Sequence, residues 1–398
     1  MSVFLRACLS FLFSVLLFCP AVSAGDELPR LMEIEAGGQS WAGRLLARSE
    51  EAVWLLDRYG ELIQFPASEI THIEVAGPVY RPASVDDHLR RLRSELPRGY
   101  KVATTKHFII AAPEERFAAF RDLLERVYME VTRFYDTRNL PISSPALPLT
   151  VLVFGSENEF RAYCGHDNTR WSGDLRGYYS LRTNRVALLD DPGAALSESQ
   201  LPLPRIARSA GIDGGTARLV TGALSNRTAD TIVHEITHQI GFNGGIHSRF
   251  GQSPQWVIEG LAMHLESSII RTRSHGRFMK PSEQVNPERL RWFFEEYFPR
   301  SSAGDVASLV ASDRLFERST FDAYSLSWAL ACFLSTGGTS EENSRFFDYL
   351  QKIAARGPFE PYSARERLAD FERAFGDPGE VERRLHRFLD EMLSQSPM

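Results

Sequence analysis

Between residues 31 and 75 apolar and polar positions alternate in short bursts: LMEIEA, SWAGRLLARS, AVWLLDR, LIQFPAS and ITHIEV. Turn residues separate them at Gly37-Gly38, Ser49-Glu50-Glu51 and Tyr59-Gly60. Such alternation marks half-buried strands, and its spacing predicts a small barrel or meander over residues 30–80. SVDDHLRRLRSEL then changes to a helical period, which predicts a charged helical linker over 81–99. From residue 100 the periods mix. HFIIAA (107–112) and PLTVLVF (148–154) read as strands, and PEERFAAFRDLLERVYMEVTRFYDTR as a long amphipathic helix. ENEFRAYC reads as a short helix, and GYYSLRTNRVALLDD (177–191) as a hairpin turning at Arg182-Thr183-Asn184. From residue 254 the pattern is nearly all helical, over roughly 254–268, 286–299, 319–335, 342–355, 362–375 and 379–394. The expected fold class is α+β, with a β-rich start, a mixed core over 100–270 and a helical subdomain over 271–398.

Two stretches leave this pattern. Residues 1–24 carry one charge, Arg6, an apolar run from Ala7 to Phe18, a break at Pro20 and the small-residue ending Ala21-Val22-Ser23-Ala24. That run is shorter than the ~20 residues a helical membrane span needs, so the expectation is a signal peptide cleaved near Ala24. The protein is then exported, to the periplasm or beyond, and no later stretch is apolar enough to span a membrane. Residues 192–217 are rich in Pro, Gly, Ser and Ala and read as a disordered surface loop, with a flap beside the site as the alternative.

Composition narrows the field only a little. The chain has 398 residues, 43% hydrophobic and 24% charged, as an ordinary globular protein does. Its formal charge of −6 disfavours nucleic acid as a partner. Cys164 and Cys332 remain once Cys8 and Cys19 leave with the signal. Cys332 sits in the apolar stretch SWALACFL, where a buried free thiol is the expected state and a disulfide the alternative.

The chemistry concentrates in TIVHEITHQIGFNGG, residues 231–245. At about 100° per residue, Ala229, Ile232, Val233, Ile236 and Ile240 form one apolar stripe. His234 and His238 fall together on the opposite face, flanked by Glu235. Asn226 or Thr228 can cap the start of this helix, and Gly241 suits its stop. Chance gives about 0.02 such motifs in a chain with 10 histidines, so a third metal ligand decides the matter. SPQWVIEGLAMHLES (253–267) offers one: Ser253 and Pro254 start a helix that places Glu259 and Glu266 on one face. Two imidazoles and a carboxylate with an open fourth position make a catalytic zinc arrangement, with Glu235 as general base.

HEITH followed by WVIEGLAMHLE resembles the gluzincin metallopeptidases, whose HExxH helix precedes a second helix bearing the glutamate ligand. Residues of about 100–335 are similar to an uncharacterised family of exported bacterial proteins related to the peptidase-MA-like gluzincins. The shared segments are HFII, VLVF, GYYS…NRV and a late Y-x-x-S-W-A-L. This resemblance implies a zincin core with a mixed sheet and active-site helices, one zinc ion per chain, and His234, His238 and Glu259 as ligands. It also implies an edge strand at Gly177-Tyr178-Tyr179 that holds an extended peptide, with oxyanion help from Tyr324. The 31–75 pattern looks like a Src-homology-3-like barrel. Packing is the competing role for Tyr178, Tyr179 and Tyr324, while Glu266 either supports a ligand or solvates its helix. A metzincin-like ligand set would need a histidine at 244, where the chain has Gly244, and His247 arrives three residues late; His264 is expected to pack or to face solvent. The basic run RTRSHGRFMK (271–280) reads as a solvated loop. The expectation is an exported zinc peptidase acting on a peptide or protein substrate. The rival is a non-catalytic cell-envelope binding protein on the same scaffold.

Overall fold

The computed structural model describes residues 28–145, 147–173, 175–190, 226–271 and 287–395. The expected signal peptide, the 192–217 loop and residues 272–280 of the basic run lie outside them. The alternating N-terminal pattern folds into β1 (Leu31–Ala36), β2 (Gln39–Arg48), β3 (Ala52–Asp57), β4 (Leu62–Pro66) and β5 (Ile70–Gly77). They pair antiparallel in the order β4-β3-β2-β1-β5. Inward positions Ile34, Ala36, Val53, Leu55 and Phe65 form this sheet's own core. At the β3–β4 turn Gly60 adopts a φ of +85°, and a Cβ there would stand 2.6 Å from Leu147 Cδ1. Only glycine fits a bend pressed this closely on its neighbour.

α1 (Val85–Glu95) starts at a capping box between Ser84 and Asp87. Next come β6 (Tyr100–Thr104), β7 (Phe108–Pro113), α2 (Phe117–Asp136), β8 (Leu149–Phe154), α3 (Glu157–His166), β9 (Gly177–Ser180) and β10 (Arg185–Leu189). This second sheet has the order β6-β7-β8-β10-β9, with β7, β8 and β10 parallel and both outer strands antiparallel. β8 is buried at every position because both faces are covered. Phe108, Ile110, Val151, Val153, Val186 and Leu188 face one core, and Ile109, Ala111, Leu152, Phe154, Ala187 and Leu189 the other. The alternating sequence is thus spent on two layers. β6 has no counterpart in the sequence reading, since the short run YKVAT carries too little apolar signal.

α4 (Asn226–Asn243) and α5 (Gln255–Arg271) follow, then α6 (Pro287–Trp292), which passes into a π-helical turn (Phe293–Tyr297) and a 3-10 turn (Phe298–Arg300). The helix expected over 286–299 is therefore split, and Pro299, which lacks a backbone donor, falls in its last turn. The chain ends in α7 (Asp305–Ala311), α8 (Arg314–Arg318), α9 (Thr320–Thr336), α10 (Ser340–Ala354), α11 (Ala364–Phe375) and α12 (Pro378–Gln395). One apolar cluster runs from the second sheet through α2, α4 and α5 into these helices, with Trp256 and Trp328 among its fully buried members. Cys164 and Cys332 are free thiols buried in different clusters. Among the described residues no helix is long and apolar enough to cross a membrane.

Candidate metal centre

α4 turns its apolar stripe inward: Ile232, Val233, Ile236 and Ile240 are all fully buried. That leaves His234 and His238 one turn apart on the other side. α4 runs to Asn243, and Gly245, with φ +88°, sits just past its end. The stop expected at Gly241 is therefore misplaced. Gly241 is glycine for another reason, because a Cβ there would lie 3.0 Å from the ring of His247. The chain folds back through that contact, the amides of Ile246 and His247 both donating to the Gly241 carbonyl, and α5 begins after Pro254.

This reversal brings Glu259 to the histidine pair. His234 Nε2 lies 3.0 Å from His238 Nε2 and 3.1 Å from Glu259 Oε2, and His238 Nε2 lies 3.5 Å from the same oxygen. The three atoms form a nearly equilateral triangle. Around a tetrahedral cation with bonds of about 2.0–2.1 Å, ligand atoms stand about 3.3–3.4 Å apart. The triangle is close to one face of such a tetrahedron, so this donor set fits a zinc-sized ion.

Supporting groups fix the triangle. Glu266, seven residues after Glu259 on α5, accepts from His234 Nδ1 at 2.8 Å. That bond assigns the proton to Nδ1 and leaves the Nε2 lone pair aimed at the centre. Glu266 is itself buried, and its second oxygen accepts from Arg289 of α6 at 2.6 Å. Arg289 does not stand out in the sequence. An arginine in a short amphipathic helix reads as a solvated face, and only the fold shows that it closes a chain from α6 through α5 to α4. Among the described residues His238 Nδ1 is buried without a hydrogen-bond partner.

The electrostatics favour positive charge at the centre. Burial alone would depress His234, yet the hydrogen bonds to Glu259 and Glu266 raise it well above the usual imidazole value. Burial would raise Glu259, but His238 and His234 hold it below the carboxylate range. Glu235 lies outside the triangle. Burial lifts its carboxyl above the ordinary value, partly offset by His234 and His238 and by the backbone amide of Tyr179. Tyr324 of α9 reaches Glu259 with its hydroxyl while its ring packs on Phe316. Burial, then the nearby Glu259 and Glu235, raises its phenol well above the ordinary value.

Among the described residues β9 is an open edge of the second sheet. The carbonyls of Arg176 and Ser180 accept from Leu189 and Asn184, so the even-numbered residues face β10. Gly177 and Tyr179 therefore turn their backbone groups to the open side. A Cβ on Gly177 would stand 2.8 Å from Thr231 Cγ2, so glycine lets the edge lie against α4. The tyrosine rings point elsewhere. Tyr178 packs near Phe160, while Tyr179 stacks on Phe242 and donates to Asn184 Oδ1 at 2.7 Å. His247 and His264 are buried outside the donor triangle, each pushed down to about 3 by burial. His264 meets Ser335 Oγ at 3.2 Å.

No curated protein matches the chain. A family described as "Protein of unknown function (DUF1570)" matches residues 228–360, a span that takes in His234, His238, Glu259, Arg289 and Tyr324.

Proposed function

We propose that the protein is a zinc-dependent metallohydrolase that cleaves peptide bonds, with a gluzincin-type core. The donor triangle of His234, His238 and Glu259, with Glu235 beside it and outside it, carries this reading. Those three residues would hold the ion. Bound zinc supplies Lewis acidity and brings the pKa of water to about 7. Glu235 accepts a proton from the attacking water and returns it to the leaving amine, and its raised carboxyl suits both transfers. Tyr324 keeps its proton and donates a hydrogen bond to the developing oxyanion. The outward backbone groups of Gly177 and the Tyr179 carbonyl pair with an extended substrate, while the Tyr179 amide stays on Glu235. The gluzincin-like spacing of HEITH and WVIEGLAMHLE supports the assignment. The five-stranded antiparallel order of the first sheet suits a Src-homology-3-like barrel.

Purified protein should carry about one zinc per chain and hydrolyse members of a mixed peptide library. Activity should vanish with chelator and return with zinc. Glu235→Gln should keep the metal and lose roughly 10²–10⁴-fold in turnover, while Glu259→Ala should lose metal. Zinc-loaded protein that hydrolyses nothing, or Glu235→Gln with wild-type rates, overturns the assignment. The first of these outcomes leaves the non-catalytic binding protein.

A further inference from the structure

The hairpin bearing the open edge is gripped from both sides by residues that are neither ligands nor bases. On the inner side, Asn184 is buried at the turn with a φ of +59°. Its Oδ1 accepts from the Tyr179 hydroxyl and from Asn243 Nδ2, both at 2.7 Å, and its Nδ2 donates to Asn243 Oδ1 at 2.8 Å. Gln239, next to His238 on α4, donates to the carbonyls of Asn184 and Thr150 at 2.9 and 3.1 Å. On the outer side, the Arg249 guanidinium donates to the carbonyls of Leu181, Arg182 and Gly60 at 2.6, 3.1 and 3.0 Å. Gly60 lies in the β3–β4 turn of the first sheet, where the Leu62 amide also donates to Arg182 at 2.7 Å. Arg182 pairs with Glu61 from that turn and with the buried Asp167.

We propose that Asn184 and Arg249 are positioning residues, and that the N-terminal sheet is a brace for the site. Together they hold β9 against α4, so that the Tyr179 amide stays presented to Glu235 and the open edge keeps its place. A four-residue strand that, among the described residues, pairs with β10 alone opens readily by itself. A buried, satisfied amide network suppresses such opening, and removing one member strands the others. The consequence for turnover rests on the hydrolase reading; the bracing itself does not.

Amide hydrogen exchange on the zinc-loaded, full-length protein tests this directly. In the wild type the Tyr179 amide should be as protected as those of β10, although β9 is an edge. Asn184→Gly keeps the left-handed turn and deletes the amide, and Arg249→Met deletes the guanidinium. Each should speed exchange over 177–180 by about tenfold or more while β7 and β8 stay unchanged. Arg249→Lys, which retains charge but cannot reach three carbonyls at once, should fall between Met and wild type. A fast-exchanging Tyr179 amide in the wild type overturns the proposal without any variant. So does unchanged exchange in the variants, or an equal rise over every strand, which marks a merely structural role. If the wild type cleaves no peptide, the hydrolase reading fails while these exchange rates still judge the brace.

Discussion

Arg289 changes what Glu266 is. Alone on α5, a buried carboxylate facing His234 would be costly to ionise. With the guanidinium on its far oxygen, it is held below its usual range despite burial. The ionised carboxylate then fixes the tautomer and ring angle of His234. Arg289→Met keeps most of the aliphatic stem but leaves Glu266 with less compensation, so His234 loses its rigid orientation. Zinc affinity, measured by competition with a chromophoric chelator, should fall about 10–100-fold. Unchanged affinity would confine Arg289 to solvating its helix. Residues of this kind mark the limit of sequence reading. The histidines are legible because a four-residue spacing on a helix is a geometric statement, and Glu259 because Pro254 marks a helix start. Ser253, expected as the cap, does not act as one: among the described residues its hydroxyl has no partner, and the Gln255 amide donates instead to Asp313 Oδ1 at 3.0 Å. Arg289, Asn184 and Asn243 act through tertiary contacts that no local period encodes. The role of β9 is divided the same way. Its glycine and tyrosines draw the eye, yet its backbone faces the site while the rings pack.

At the scale of elements, the close crossing of α5 and α9 sets the site. A Cβ on Gly260 would stand 2.4 Å from the Ser327 carbonyl oxygen and 2.9 Å from Ala331 Cβ. The helices therefore meet at backbone distance, with Glu259 next to the contact and Tyr324 one turn before Ser327. Gly260→Ala gains roughly 0.5–1 kcal/mol in helix propensity but must push a backbone carbonyl aside, an overpacking cost of about 1–3 kcal/mol. Overpacking wins, because the obstacle is main chain and cannot rotate away. The variant should unfold at lower temperature by calorimetry, and its zinc content should fall as Glu259 and Tyr324 separate. A melting temperature at or above wild type would show that the crossing has slack. The sequence announces α9 as a helical segment with the apolar run WALACFL in its C-terminal half, which says that it is buried and not against what. The short α7 and α8 escape notice because five to seven residues barely complete a period.

For the whole molecule, the question is how the first sheet is fastened to the second. Apolar contact is modest there: Trp54 meets Phe250 at 6.5 Å, and Tyr59 meets His88 edge-on at 5.3 Å. A charged chain supplements it. Arg91 of α1 reaches Asp57, Glu61 and Glu95, and Glu95 receives Arg185 of β10 at 2.5 Å. The sequence shows Arg91 and Glu95 only as part of a charged linker helix, since alternating charge on a surface and across an interface look alike. Burial pushes Glu95 up, but Arg185 and Arg91 outweigh it and hold the carboxyl below its ordinary value. A folded value below the unfolded one stabilises above the unfolded pKa of about 4.3, and that contribution is lost as pH falls through the folded value. Asp57 has the opposite sign, because burial raises it. The wild-type curve alone would mix the two, so the informative quantity is the stability difference between wild type and Glu95→Gln. It should be constant from about pH 7 to 5.5, then shrink towards zero below about pH 4. A difference that persists unchanged to about pH 3 would mean that Glu95 does not carry the linkage. In that case the brace would rest on the Arg249 guanidinium and the carbonyls of Leu181, Arg182 and Gly60 that it meets, contacts that involve no carboxylate.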